Sequence, residues 1–235
     1  MPRGRIFCYL PAGGRMVRTR CEVVLGVVAT ALLGVTLSAD SVPERALAAA
    51  IRAGRQGLVD SLRATCTAKP SPQAPVLAEV NQVRRDGIYT VSISTSLGRV
   101  AVLAATAKRR GEPYGVEDVP RELRENGVYV FVNPVRPTLS GGIVSAPSPI
   151  DKVSLRSTDP ESPSVSPDGV DWEGVEWRNP LGGFIEANRA TAAFPWEGVR
   201  DLPPGGLVVV IAAEAGDRRC TIPAPAWRRI AAPRP

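Results

Sequence analysis

The sequence predicts an α+β protein that is mostly β, in which an apolar leader or anchor helix and an amphipathic helix precede a β-rich domain. Three observations support this fold class. An apolar run, Val23–Ala39, follows an arginine-rich start, β-branched residues alternate along Ile88–Thr95, and a long Ser/Pro-rich stretch covers residues 145–167. A chain of 235 residues is long enough to bury the core of one or two domains.

Residues 1–40 are interpreted as a basic leader. Val23–Ala39 contains 17 residues without a charge. A helix of that length spans about 26 Å, slightly less than a hydrocarbon core of about 30 Å. A cleaved signal peptide and an uncleaved signal anchor both fit this length, and a buried core helix is the alternative. The arginines before the run place the N-terminus in the cytoplasm, and either Met1 or Met16 can serve as the start.

The positive charge of the chain is concentrated in this leader. The net charge is +6, and residues 1–20 hold five arginines and no acidic residue. The remaining basic and acidic side chains nearly cancel. Nucleic-acid binding requires basic residues on the folded part of a protein, because neutralisation of phosphates supplies most of the affinity. We therefore predict no nucleic-acid partner, and a membrane contact through Val23–Ala39 if the leader is retained.

Residues 41–66 are predicted to form an amphipathic helix. Ser41-Val42-Pro43-Glu44 has the S-x-x-E form of a capping box, and the helix is expected to continue to about Ala64. Four apolar residues share one stripe at helical spacing: Leu47, Ile51, Leu58 and Leu62. Arginines occupy a different face. We expect the stripe to pack onto the domain, and a basic helix lying on an anionic membrane surface is the alternative.

Residues 67–144 are predicted to be β-rich. Ile88–Thr95 is a strand by its alternation, and Leu97-Gly98 predicts a turn into a second strand, Arg99–Ala105. Gly127–Val132 is predicted to be another strand.

Residues 145–167 contain seven Ser and five Pro, which predicts an exposed linker or a long loop. A linker implies two domains, and a loop implies one. Residues 168–235 are predicted to form a second β-rich region, in which Gly206–Ala213 is the strongest buried-strand signal. A short repeat, Trp172-Glu173-Gly174-Val175 and Trp196-Glu197-Gly198-Val199, is compatible with twin strand-turn units.

Two cysteines, Cys66 and Cys220, flank nearly all of the chain beyond the leader. In an oxidising compartment they can form a disulfide that ties the start of the domain to its end. The alternative is a pair of unrelated buried thiols. No C-x-x-C spacing is present, so the sequence supports neither a zinc ribbon nor a thioredoxin-type motif.

The sequence contains no histidine. This excludes a Ser-His-Asp triad, a Cys-His nucleophile and histidine zinc ligands within one chain. The P-loop, G-x-G-x-x-G, S-x-x-K and G-x-S-x-G patterns are also absent. We predict no metal site and no cofactor.

The densest group of candidate functional residues combines carboxylates with tryptophans. Its members are Asp171, Trp172, Glu173 and Trp177, with Trp196 and Glu197 in the second copy of the repeat. Tryptophans beside acids are typical of sugar-binding clefts, where the ring stacks on a sugar and the acids protonate or attack. A hydrolase acting on glycans needs two carboxyls about 5–10 Å apart across one cleft. The other interpretation is a solvated acidic loop whose tryptophans fill a small core.

Together these features favour an exported or membrane-anchored envelope protein without an evident catalytic site. It is expected to be a single-pass membrane protein with its N-terminus inside, or to be secreted. Its β-rich domain would bind or assemble with an unidentified envelope protein or glycan. An apolar leader followed by a helix and a β-rich body is similar to the layout of pilin-like proteins. A pilin-like structural subunit and the carboxylate-dependent glycan hydrolase are the alternatives.

Overall fold

The computed structural model describes residues 8–10, 17–19, 41–70, 83–202 and 205–232 of the chain. The strands are β1 (Cys8–Leu10), β2 (Val17–Thr19), β3 (Arg63–Pro70), β4 (Val83–Arg84), β5 (Tyr89–Thr95), β6 (Gly127–Pro134), β7 (Thr138–Ser140), β8 (Ile143–Ser145), β9 (Ile150–Ser157), β10 (Gly169–Arg178), β11 (Phe184–Pro195), β12 (Leu207–Ala213) and β13 (Arg218–Ile222). The helices are α1 (Glu44–Arg55), α2 (Ser96–Arg110), α3 (Trp196–Arg200) and α4 (Ala224–Ala231), and 3-10 turns form at Leu58–Leu62 and Arg121–Arg124.

Eight of these strands form one curled sheet in the order β10-β11-β6-β5-β3-β13-β12-β9, and the protein is mostly β. Every neighbouring pair in this sheet is antiparallel. A smaller sheet has the order β4-β8-β7. Both sheets belong to a compact unit, Ser38–Pro235. The unit that precedes it contains β1 and β2, which pair antiparallel with each other.

The main core lies on one face of the curled sheet because side chains alternate along each strand. In β5, Tyr89, Val91 and Ile93 are fully buried. Six other strands contribute to the same cluster, among them β6 with Val128, Val130 and Val132. The cluster also includes Val199 of the short helix α3 and Ile230 of α4.

The curl brings the edge strand β9 next to β11, and one side chain joins them. The Asn188 carboxamide accepts a hydrogen bond from the Ile150 N–H at 2.6 Å and donates one to the Ile150 carbonyl at 3.0 Å. The side chain of Asn188 thereby replaces the backbone pairing that Ile150 would make with a further strand. This contact, the Asn188 clasp, links one edge of the sheet to the second strand from the other edge.

The helices α1 and α2 pack together on the opposite side of the sheet. Their shared core contains Leu47 and Ile51 of α1 and Val100 and Ala104 of α2. Gly54 is the point of closest approach, since a Cβ atom there would lie only 2.1 Å from the Ala101 carbonyl oxygen. Any larger residue at position 54 would push the two helices apart.

Cys66 and Cys220 form a disulfide, as the sequence predicted. Cys66 lies in β3 and Cys220 in β13, which are neighbours in the main sheet, and their Cα atoms are 5.9 Å apart. The two cysteines are separated by 154 positions, so the bond joins the beginning and the end of the compact unit.

The predicted helix over 41–66 is only partly confirmed. Helix α1 is present, but it begins at Glu44 with Pro43 as its N-cap and no side-chain capping bond, so the predicted capping box at Ser41 is wrong. Gly57 adopts a left-handed conformation with φ of 79° and ends the helix region. Leu58 therefore leaves the predicted stripe and is 52% exposed, whereas Leu62 is buried.

The second strand of the predicted hairpin, Arg99–Ala105, is wrong, because these residues belong to α2. The buried residues Val100, Ala104 and Ala107 recur at spacings of four and three, which is a helical pattern. Gly98 also permits close packing, since a Cβ atom there would lie 2.6 Å from the Leu62 carbonyl oxygen. The strands predicted at Ile88–Thr95, Gly127–Val132 and Gly206–Ala213 are confirmed as β5, β6 and β12.

The predicted linker or loop over 145–167 is also wrong for residues 150–157, which form β9 and pair with β12. Ile150, Val153 and Leu155 are buried in the main core. The Ser and Pro residues of this stretch conceal the strand because they dominate its composition, and because only Val153 and Leu155 alternate while a register shift separates them from Ile150. Strands from 67–144 and 168–235 lie in the same sheet, with β3 beside β13 and β6 beside β11.

Across the residues that the structure describes, no helix is both long and apolar enough to span a membrane. The predicted leader or anchor helix, Val23–Ala39, lies outside those residues.

Candidate functional site

The hairpin of β10 and β11 is the longest paired segment among the described strands, and it contains Asp171, Trp172, Glu173 and Trp177 of the predicted site. Its register runs without interruption from Gly169 opposite Ala193 to Arg178 opposite Phe184. The turn is fixed by Asn179, whose side chain accepts a hydrogen bond from the Leu181 N–H at 3.0 Å. Gly182 and Gly183 both have positive φ, as a turn this tight requires.

The two halves of β11 bury opposite faces. Ala190, Ala192 and Phe194 point into the main core, whereas Ile185 packs against Val144 and Ala146 near the small sheet. The change occurs where β11 leaves β6, whose pairing with β11 begins at Ala190. Beyond that point the hairpin extends past the main sheet.

A groove of about 350 Å³ lies between α2, the turn at Arg121–Arg124 and the start of the hairpin. Its walls combine apolar, aromatic and charged side chains: Arg99, Leu103, Pro120, Glu122, Leu123, Tyr129, Gly169, Val170, Asp171, Thr191 and Ala193.

Arg99 is the cation of this groove. Its guanidinium carbon lies 4.4 Å from the ring centre of Phe131 and 5.8 Å from that of Tyr129, which are cation–π distances. Its Nε atom is buried and has no hydrogen-bond partner among the described residues. Burial lowers the pKa of the guanidinium, while Tyr129, Asp171 and Glu122 act in the opposite direction. Arginine nevertheless stays charged in proteins, so the groove holds one cation near two carboxylates.

The three candidate carboxylates lie in different environments. Asp171 lines the groove. Glu173 lies two residues further on the same strand and forms an ion pair with Arg189 directly opposite, at 3.0 Å between Oε1 and an arginine nitrogen. Glu197 belongs to α3 and lines neither this groove nor the cavity beside Trp196 that is described below. This arrangement gives the hydrolase hypothesis no support.

The three candidate tryptophans also separate. Trp172 is 45% exposed on β10 and faces Ala190 across the hairpin. Trp177 packs against the cluster of Val144, Ala146 and Ile185. Trp196 packs against the main core, with its ring centre 6.2 Å from that of Trp227. Of the three, Trp172 has the indole most available to a partner.

A second cavity, of about 480 Å³, lies beside Trp196. It is bounded by the start of α1, the first residues of α2 and β6, and the end of α4, and Arg45 is its charged side chain. In the parts of the chain that the structure describes, no group of three or more Cys, Asp or Glu residues is arranged to hold a metal ion.

Sequence reasoning missed the residues that build the groove around Asp171. The predicted strand Arg99–Ala105 would place Arg99 in a β-sheet. In the structure Arg99 belongs to α2 and lies above the rings of Tyr129 and Phe131. Glu122 lies in a 3-10 turn that has no distinctive pattern. The spacing of Val100, Ala104 and Ala107 was the one available signal, since it turns Arg99 toward the sheet once α2 is recognised.

Comparisons with known protein families, with curated proteins and with solved structures find no match to this chain.

Proposed function

We propose that this chain is an exported or membrane-anchored envelope protein whose β-rich body is an extracytoplasmic binding and assembly domain. The observation that carries the proposal is the disulfide between Cys66 and Cys220. Disulfides form and persist in oxidising compartments, and they are rare where thioredoxin and glutathione keep thiols reduced. Cys220 is 2% exposed, so this is an internal structural bond.

The N-terminal sequence supports export because it has the features of a targeting signal. An arginine-rich start followed by the uncharged Val23–Ala39 is typical of a signal peptide or a signal anchor, and the nearly neutral remainder suits a body on the far side of a bilayer.

The binding role is supported by the shape of the body. The β10–β11 hairpin exposes three large apolar side chains, namely Trp172 at 45%, where β11 still pairs with β6, and Leu181 at 44% and Phe184 at 67% at the end that extends past β6. Exposed apolar groups on a projecting element are typical of interaction sites.

Thiol labelling in a bacterial host tests export. We would express the full chain with Cys8 and Cys21 replaced by alanine, and treat intact cells with a maleimide that adds mass to free thiols. We expect no labelling until a reductant is added, and recovery of the protein outside the cytosolic fraction. The matched control lacks residues 23–39 and should be labelled without reductant. A wholly cytosolic protein with two free thiols would overturn the proposal.

A further inference from the structure

Among the residues that the structure describes, one edge of the main sheet is open and the other is covered. At β9, Leu155 and Val165 exchange two backbone hydrogen bonds, of 3.0 and 2.7 Å, and the Asn188 clasp occupies Ile150. At the opposite edge, β10 pairs with β11 and with no other described strand. Alternate residues of β10 therefore direct their N–H and C=O groups away from the sheet.

This open edge is unusually long and accessible. All ten residues of β10 are exposed or half-buried, and none is fully buried. Folded proteins commonly shorten, bend or cover such an edge, because unpaired backbone groups accept another strand. The uninterrupted register with β11 shows that β10 has no bulge that would disturb a partner strand.

The charges along β10 select the kind of strand that fits. Asp171, Glu173 and Glu176 supply three carboxylates against the single cation Arg178 of this strand, and Glu173 is already paired with Arg189 of β11. Two copies of this chain pairing edge to edge would place an excess of carboxylates along one strand pair, and like charges that lie opposite each other there are unfavourable. A basic segment would instead meet charges of opposite sign.

Trp172 supplies an apolar anchor on the same strand. Its cross-strand neighbour is Ala190, which is too small to cover the indole, and 45% of the residue remains exposed. Tryptophan is among the residues that most often dominate the energy of protein interfaces.

We propose that the outer edge of β10 binds an extended, basic segment of a partner protein as an additional antiparallel or parallel strand. Backbone hydrogen bonds to alternate residues of β10 provide the pairing, the carboxylates select lysine or arginine, and Trp172 packs against an apolar side chain of the segment. The inference rests on the proposed function, since it names the surface with which the domain binds.

The test uses the purified, oxidised full-length protein in mild detergent and a synthetic ten-residue peptide of alternating lysine and β-branched residues. We expect saturable binding by fluorescence anisotropy, together with slower hydrogen–deuterium exchange at β10 amides. Two matched peptides separate the causes. One replaces lysine by glutamate, and the other carries N-methyl groups at every second residue, which removes backbone donors on one side. Each should bind at least tenfold more weakly.

Two variants locate the site. Glu176→Lys reverses one charge on β10 and should weaken binding of the lysine peptide severalfold, and Trp172→Ala should do the same. The control Glu112→Lys reverses an exposed charge just beyond α2 and should leave binding unchanged. Circular dichroism checks that each variant is folded.

No binding by the lysine peptide, equal binding by either matched peptide, or protection confined to other strands would overturn the proposal. These results are independent of export. A reduced, cytosolic protein would contradict the proposed function, while the peptide measurements on oxidised protein would still decide whether the β10 edge binds a basic strand.

Discussion

Tyr89 is a buried titratable residue whose surroundings strongly oppose ionisation. It lies in the main core with no exposed surface, and its hydroxyl donates a hydrogen bond to the Ser148 carbonyl. Burial raises the pKa of Tyr89 from 10.0 to about 12, although the nearby Arg218 and Arg85 act in the opposite direction. A phenolate in this position would lose its hydration, and this cost exceeds the attraction of the two arginines.

This shift predicts a loss of stability in alkali. The unfolded chain releases the Tyr89 proton near pH 10.0, whereas the folded protein holds it to about pH 12. The contribution of Tyr89 is therefore complete below pH 10.0 and is lost as the pH rises toward 12. Two pKa units correspond to about 2–3 kcal/mol in the free energy of unfolding.

Tyr89→Phe removes this titration. It should be less stable at pH 7 by about 1–3 kcal/mol, because the Ser148 carbonyl loses its buried donor. Between pH 10 and 12, however, its stability should fall less steeply than that of the unaltered protein. Urea unfolding at several pH values measures both effects. Parallel curves for the two proteins across that range would contradict the assignment to Tyr89.

At the scale of single elements, the Asn188 clasp makes a sharp prediction. Asn188→Ala leaves the N–H and the carbonyl of Ile150 without their partner in a half-buried site, and should lower the free energy of unfolding by about 1–3 kcal/mol. Arg189→Ala is the control. It removes an exposed ion pair with Glu173, for which about 0–1 kcal/mol is expected. Equal losses in the two variants, measured by urea unfolding, would show that the clasp adds no special stability.

Strands whose pattern of apolar residues matches their burial in the sheet were predictable from the sequence. β5 and β6 alternate because one face meets the main core, and β12 is continuously apolar because it lies inside the sheet. The error at Arg99–Ala105 arose because valine and alanine occur in both strands and helices. Packing of Gly54 against Ala101 decides for the helix, and that contact joins residues far apart in sequence.

The repeated tetrapeptide illustrates the same limit. Trp172-Glu173-Gly174-Val175 lies in β10, whereas Trp196-Glu197-Gly198-Val199 begins α3, so the two copies do not form twin strand-turn units. Pro195 precedes the second copy as the N-cap of α3, and Val199 is buried against the main core. The first copy instead faces β11 along its length. Tertiary pairing, which a local pattern does not contain, sets the conformation of each copy.

At the scale of the whole molecule, the disulfide between Cys66 and Cys220 should be a major source of stability. A disulfide that closes a loop across 154 positions lowers the entropy of the unfolded chain. It is expected to raise the free energy of unfolding by at most about 5 kcal/mol. The sequence predicted that these two cysteines pair. It did not indicate that the bond joins adjacent strands in the middle of the sheet.

The double variant Cys66→Ala/Cys220→Ala tests this contribution. Its midpoint in urea should fall markedly, and addition of a reductant should have no further effect on it. The unaltered protein should shift toward the variant when it is reduced. If reduction leaves the unaltered protein as stable as before, the bond does not constrain the unfolded chain as we expect.

The position of β13 means that the centre of the main sheet can be completed only late in synthesis. It fills the gap between β3 and β12, although β3 is complete by Pro70 and β13 starts only at Arg218. During synthesis on the ribosome, β3 therefore waits for its second neighbour while most of the polypeptide is still being made. A nascent chain that completes the centre of its sheet so late stays unfolded for longer, and such a delay would assist the proposed export, in which a chain crosses a translocation channel before it folds.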